Sequence, residues 1–499
     1  MPSKLHPLSI PYRILQSSIG MVPVIVLIAF FLGQSIGYAV PLTLLMLVVG
    51  VGAIGGWHVA YYQRFEYEMT PDTFDIRSGV VSRRNREIPY RRIQNVDISR
   101  TMLQRAIGVA ELRLETAGGT TSEAHLRYVG YDEAKRLQDD LRNRERQRID
   151  PESDEENIGT TLYEITQRDL GVLAVASLDL RVASFLVVIF SFAAPSLIID
   201  ILLELPINPI AVIAAIALVV IIASGILSGG SAIINNYGFI LSRVGDELRY
   251  ERGLLQRYDG SIPLDKVQTL VIQENVLKRL VGYASLTVET AGYGPGSSGA
   301  ESARAVPISR RETTFEIAKR IEPSVEDVPF HRPARRARLR YTWQYTLLVA
   351  ALTILAFGIE WWFGFGLYWW AIPFTLVLAP VAAHLKWKHR GYAVLDEAVI
   401  TRSGFWRRRT HVVPYYRIQI VDESQTVLQR RWRIATVLID TAGSSGLVSG
   451  SPTAYDLDDQ EATVLREHIS ERLQLSLQVR KRRRRGVRDR FIEGVRGVW

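Results

Sequence analysis

The sequence predicts a membrane-anchored α+β protein, in which three α-helical hairpins each precede a small β-barrel capped by a C-terminal helix. Three observations carry that prediction. Three long stretches, 14–63, 182–242 and 341–385, hold no Lys or Arg, although the 499-residue chain contains 60 of them. One series of residues recurs after each stretch. Cysteine is absent, which rules out disulfide frameworks, thiolate metal sites and thiol nucleophiles.

The apolar stretches come first. A spanning helix needs about 20 mostly apolar residues, because the hydrocarbon core is about 30 Å thick. Each stretch holds two such segments about a short turn: 14–31 and 39–60, 182–203 and 209–234, 346–363 and 368–385. No Lys or Arg lies in any of the turns. The positive-inside rule then places both termini and both long loops in the cytoplasm. Only Lys4 and Arg13 precede the first hairpin, and no small-residue cleavage site follows it, so it reads as an anchor rather than a removable signal. Trp361, Trp362, Trp369 and Trp370 read as an aromatic belt at the far interface. The only acids in the stretches are Asp200, Glu204 and Glu360. They are candidates for a proton or ion pathway, or they reach the outer headgroups.

The recurring series defines a domain. The first copy carries Pro89, Gln94, Leu103 and Arg105 and closes on Gly118. The second carries Pro263, Gln268, Leu277 and Arg279 and closes on Gly292; the third carries Pro414, Gln419, Leu428 and Arg430 and closes on Gly443. From Gly79, Gly253 and Gly404 to those closing glycines the copies align without a gap. Within the first copy, 67–76 and 80–88 read as strands about a turn at Ser78-Gly79, where glycine supplies a positive φ. Strands follow at 93–98, 110–116 and 123–129, with a helical turn at 101–107. A helix bearing Ala134, Leu137 and Leu141 on one face closes the copy. Leu103, Leu277 and Leu428 are expected to be buried equivalents. The third copy departs from the pattern at Arg433, where the others have Gly108 and Gly282.

This series resembles the membrane-flanked domain proteins of bacteria and archaea, which carry bacterial pleckstrin-homology-like repeats of the second type. The openings Leu5-His6-Pro7-Leu8 and Tyr163-Glu164-Ile165-Thr166-Gln167 share the likeness, which covers nearly the whole chain. The resemblance implies a pleckstrin-homology-like barrel for each copy and no defined ligand. The expected order is 1–62 N-terminal segment and first hairpin, 63–148 first domain, 149–181 acidic linker and interfacial segment, 182–234 second hairpin, 235–325 second domain. Then come 326–343 basic linker, 344–387 third hairpin, 388–476 third domain and 477–499 polybasic amphipathic tail.

Candidate chemistry is sparse. Residues 294–299 match GxGxxG, but the repeat register puts them in a hairpin loop rather than between a strand and a helix. The eight His residues form no HxxxH or HExxH arrangement. No nucleophile–base pair stands out, so the chain reads as a non-enzyme without cofactor or metal. A net charge of +9 points to acidic partners. The lipid-facing candidates are Arg83, Arg84 and Arg86 with their counterparts Arg407, Arg408 and Arg409, then Arg335, Arg336 and Arg338, and the tail run Arg480, Lys481, Arg482, Arg483, Arg484 and Arg485. Such clusters beside a membrane attract anionic lipid. Without an interleaved aromatic platform, nucleic acid is disfavoured. The expected role is a scaffold presenting three cytoplasmic domains to anionic lipid or to a protein partner such as a shorter paralogue, with a homo-oligomer left open. The alternative is a transporter or export component using Asp200, Glu204 and Glu360.

Overall fold

The computed structural model describes residues 3–14, 16–17, 39–116, 124–149, 159–177, 209–290, 305–363, 369–442 and 450–496. The spans expected at 14–31 and 182–203 fall almost wholly outside the described residues. So do Asp200, Glu204, the acidic run 150–156, the GxGxxG loop, and Gly118, Gly292 and Gly443. The chain divides into two compact units, Met1–Thr161 with Tyr237–Pro263 and Leu162–Asn236 with Leu264–Trp499.

In the first unit a long helix α1 (Ala39–Arg64) leads into an antiparallel sheet of β1 (Glu66–Met69), β2 (Thr73–Ser78) and β3 (Arg84–Pro89). A 3-10 turn, Tyr90–Arg92, begins straight after Pro89, whose fixed φ of −62° suits it. It carries the chain into β4 (Ile93–Thr101), the short helix α2 (Met102–Ala106), β5 (Val109–Thr116), β6 (Ala124–Gly130) and the helix α3 (Tyr131–Ile149). Strand alternation explains the core. Phe74 and Ile88 from the first sheet meet Val96, Ile98, Leu112, Leu114 and Leu126 from the second, and Ala134, Leu137 and Leu141 of α3 close the end. Burying each such aliphatic side chain stabilises by roughly 1.5–3 kcal/mol.

The strand β7 (Thr160–Glu164) straddles the two units. Helices α4 (Gln167–Ala176) and α5 (Pro209–Asn236) belong to the second unit. The second copy then starts in the first unit with β8 (Ile240–Val244), β9 (Glu247–Arg252) and β10 (Gln256–Pro263). Its remainder lies in the second unit: β11 (Val267–Asn275), α6 (Val276–Leu280), β12 (Tyr283–Thr290), β13 (Val306–Arg310) and α7 (Arg311–Ile321). The third hairpin follows as α8 (Ala337–Phe363), a 3-10 helix over Trp369–Leu378, and α9 (Ala379–Lys388). The third copy comprises β14 (Gly391–Val394), β15 (Ala398–Ser403), β16 (Arg407–Pro414), β17 (Ile418–Ser424), α10 (Val427–Arg431), β18 (Ile434–Thr441), β19 (Thr453–Asp458) and α11 (Asp459–Arg496). Much of its core repeats that of the first copy. Val399, Val413, Val437, Ile439 and Ala454 stand where Phe74, Ile88, Leu112, Leu114 and Leu126 do, under Ala462, Leu465 and Ile469.

The sheets depart from three separate closed barrels. Among the described residues each copy is two three-stranded halves, and no barrel closes. Halves of successive copies share sheets instead. In the first unit the order begins β6-β5-β4-β10-β9-β8, and in the second it is β13-β12-β11-β16-β15-β14. A two- or three-stranded piece with open edges satisfies its backbone groups by joining the next piece.

Two helical segments, Leu218–Asn236 and Ala337–Trp362, are long and apolar enough to cross a membrane. The span expected at 368–385 is not one α-helix. Pro373 lies within the 3-10 stretch, and regular α-helix begins only at Ala379. Proline has no N–H to donate, and its ring crowds the carbonyl four residues back.

The expectation for the repeated leucines is also corrected. Leu103, Leu277 and Leu428 are equivalent in exposure, but at 46%, 41% and 44% they are exposed. The short helices α2 and α10 turn a different residue inward. Gln104 and Gln429 are buried, each accepting from the N-cap amide of Thr101 or Thr426 in a capping box. That cap fixes the rotation of a five-residue helix and leaves the leucine outside. In a denaturant titration Leu112→Ala should cost about 2–5 kcal/mol. Leu103→Ala should stay within about 0.5 kcal/mol.

Candidate functional site

The candidate surface is read from the repeated residues, several of which have a structural task. Gly79, Gly253 and Gly404 adopt φ of +114°, +103° and +90° at the tip of the first hairpin of each copy. A Cβ there would lie 1.9 Å from the Ser82 carbonyl oxygen, 1.9 Å from that of Gln256 and 2.1 Å from that of Arg407. Only glycine closes this turn. The residues it presents are apolar and outward: Val81, Leu254, Leu255 and Trp406 are all exposed, Trp406 by 74%. Gln94, Gln268 and Gln419 each occupy a register shift, between Ile93 and Asn95, Val267 and Thr269, and Ile418 and Ile420. They mark the bulge at the entry of the second half.

The repeated arginine joins copies. The Arg105 guanidinium donates to the Leu254 carbonyl oxygen at 2.8 Å, and Arg279 donates to the Phe405 carbonyl oxygen at 2.6 Å. Leu254 and Phe405 are equivalent tip positions of the following copy. The strand pairing alongside is equally regular. Gln256 sits opposite Thr101 and Arg257 opposite Arg100 in one junction, and Arg407 opposite Asn275 and Arg408 opposite Glu274 in the other. These are the same repeat positions. Arg408 is therefore not free for lipid: it pairs with buried Glu274 at 2.6 Å. Arg257 turns instead to Glu251, and Arg100 lies over the Tyr131 ring. Arg83, Arg84 and Arg86 remain on an exposed strand and turn.

A second set of residues ties domain to hairpin. The N-terminal segment pairs with the domain that follows α1: Ser3 and Tyr67 exchange backbone hydrogen bonds, and the His6 amide donates to the Tyr128 carbonyl. The third copy repeats this, with His331 and Tyr392 exchanging bonds and the Ala334 amide donating to the Asp456 carbonyl. Tyr128 and Asp456 both hold positive φ, +71° and +54°. Each receives the helix entering the hairpin. The Tyr12 ring and the Arg13 guanidinium pack on the Tyr128 ring, and Tyr128 hydroxyl donates to Gln16. Asp456, 1% exposed, accepts from Arg340, Tyr341, Arg390 and Gln429. Two cations, a phenol and an amide compensate the buried carboxylate. In the second copy Tyr163 hydroxyl donates to the Ile308 carbonyl at 2.5 Å, and Asn275 donates to the Ala176 carbonyl at 2.6 Å.

The basic segment before the third hairpin is partly consumed by the same docking. Arg336 is held by Asp458 and the Arg433 carbonyl, and Arg338 stacks over the Trp387 ring. Arg335 is exposed. Arg480 to Arg485 lie on α11, which continues from the domain's capping helix. Glu360 lies in the last turn of α8.

The profile of the Bacterial PH domain family matches the chain three times, at residues 22–145, 177–324 and 338–473. The chain belongs to this family. Each match takes in all or part of an apolar stretch together with the strands that follow it. Ser3, Tyr163 and His331 lie ahead of the matches, although they dock on the domains. The chain is 23% identical over 496 residues to the UPF0699 transmembrane protein YdbT of Bacillus subtilis (strain 168), covering 93% of this chain and 97% of that protein. It is 31% identical over 129 residues to the UPF0699 transmembrane protein YdbS of the same organism, covering 25% of this chain and 76% of that protein. No solved structure matches the chain.

Asp456 was not singled out by its sequence. The one signal is that Tyr12-Arg13 and Arg340-Tyr341 place the same two residue types, in reversed order, at equivalent positions before their hairpins. Asp456→Ala should cost about 3–5 kcal/mol in a denaturant titration, because Arg340 and Arg390 are left with their charges uncompensated. His389 sets a pH dependence. Burial first, then Arg279 and Arg408, push its imidazole down to about 4. Arg279 lies 3.1 Å from its Nδ1, the arrangement of a neutral ring accepting a hydrogen bond. The unfolded chain protonates this His near its ordinary value of about 6.5, before the folded one does. Stability should therefore fall as pH drops from about 6.5 towards 4, and His389→Asn should flatten that slope.

Proposed function

We propose that the chain is a non-enzymatic membrane scaffold whose pleckstrin-homology-like domains stand on the cytoplasmic side and present exposed basic edges to anionic lipid and to protein partners. The observation that carries this reading is the docking of each domain on the segment that enters the hairpin beside it, seen at Tyr128 and at Asp456. A domain fixed in this way keeps a set orientation to the bilayer. Exposed Trp361, Trp362 and Trp370, at the end of the third apolar stretch remote from the domain, support contact with a headgroup layer there, since indole rings prefer that level. Arg335 and the cations of α11 supply the anionic-lipid contacts, each worth about 1 kcal/mol near a charged surface.

The cysteine-free sequence makes the topology testable. A single cysteine at Ser35 should react with an impermeant maleimide from outside intact cells, and one at Ser153 only after lysis; the reverse pattern overturns the orientation. For lipid, the full chain in nanodiscs containing phosphatidylglycerol should show slower amide exchange around 480–485 than in phosphatidylcholine alone. High salt should remove the difference. Equal exchange in both lipids overturns the anionic-surface role.

A further inference from the structure

Among the described residues, the two internal junctions leave one half-site of each kind over. β4 and β11 each receive the first half of the next copy, but β17, their equivalent in the third copy, is the edge of a three-stranded sheet. β10 and β16 each join the copy before, but β3, their equivalent in the first copy, is likewise an edge. The difference is visible in burial. Thr269 of β11 is fully buried, whereas Ile420, which holds the same repeat position in β17, is 58% exposed.

We infer that the chain assembles head to tail, β17 of one copy adding to β3 of a second copy in the register used twice within the chain. Transferring that register by repeat position sets Arg84 opposite Ser424, Asn85 opposite Glu423 and Arg86 opposite Asp422. The edges are complementary in charge: β3 brings Arg84 and Arg86, with Arg83 just before it, and β17 brings exposed Asp422, while the neighbouring Glu423 is already paired with Arg466. Internally, Arg408 opposite Glu274 already shows the same pairing of signs across such a junction. The joining arginine also has its third member. Arg430 occupies the place of Arg105 and Arg279 and is exposed, and the matching tip acceptor in the first copy is the Val80 carbonyl. That oxygen accepts from Arg64 at 2.6 Å and has a second lone pair to offer. A head-to-tail contact of this kind repeats, giving a ring where the rotation closes and an open array where it does not.

The test uses two full-length chains with different tags, co-expressed in membranes, one carrying Arg84→Cys and the other Ser424→Cys. Directly opposed residues of antiparallel strands lie about 4.5–5.5 Å apart at Cα, within the reach of a disulfide. Mild oxidation should give a species holding both tags that separates on reduction. Asn85→Cys with Ser424→Cys puts the sulfurs on opposite faces and should not cross-link. Arg86→Asp on the first chain should cut cross-linking by about fivefold, and adding Asp422→Arg to the second should restore it. Arg430→Ala should also reduce it. All these side chains are exposed, so the variants should keep the parent's unfolding midpoint. Folded protein that yields no inter-chain species, or that links equally through Asn85, overturns the assembly.

Discussion

A three-stranded antiparallel sheet has two edges, and each edge is a row of backbone donors and acceptors with nowhere to go. The fold is organised by how those rows are filled. Each copy is divided by a single turn after Pro89, Pro263 or Pro414, and in the first two copies the second half extends its sheet with the first half of the next copy. The edge is thus covered by the chain itself, as sheet proteins require. Regularity follows from this. Two junctions in the same register need the same turn glycine, the same bulge and the same arginine reaching the next hairpin tip, and these are the residues that recur.

The membrane segments are held by a different kind of bond. Around Asp456, a carboxylate is taken out of water and repaid by two guanidinium groups, a phenol and an amide. Such a cluster is weak evidence for net stability but a strong constraint on geometry, since removing any charged partner strands the others. The first copy reaches the same docking with Tyr12 and Arg13 packed on the Tyr128 ring, where the third copy has the buried acid Asp456. Position is kept and chemistry is not.

Much of this was legible in the sequence for identifiable reasons. Glycine at a hairpin tip, proline before a turn, and alternating strands such as 110–116 report local geometry, and local geometry is written residue by residue. The tight recurrence of Arg105, Arg279 and Arg430 was legible, but its purpose was not, because the acceptor is a backbone carbonyl in another copy and backbone carbonyls leave no trace in sequence. Leu103 was placed on the wrong side because five residues are too few to show a helical face; the Gln104 cap decides the rotation. The role of Arg336 was read as lipid contact because its run of cations is conspicuous, while its acceptor Asp458 lies over a hundred residues on. The docking of Ser3 and His331 was hidden by distance too, with a whole hairpin between each segment and its domain.

Sharing a sheet across copies also sets a schedule for synthesis. β4 ends at Thr101 and its partner β10 begins at Gln256, so about 150 residues emerge between the two. At about 5–20 residues per second the ribosome takes roughly 10–30 s to deliver the missing strand. During that interval the nascent first domain has its core but lacks a neighbour for β4, and the apolar stretch 182–242 must emerge before the neighbour arrives. The same wait recurs for β11 and β16. Strand completion is thereby tied to the order of synthesis: until β10 follows the apolar stretch out of the ribosome, the edge of β4 stays open to aggregation or to degradation.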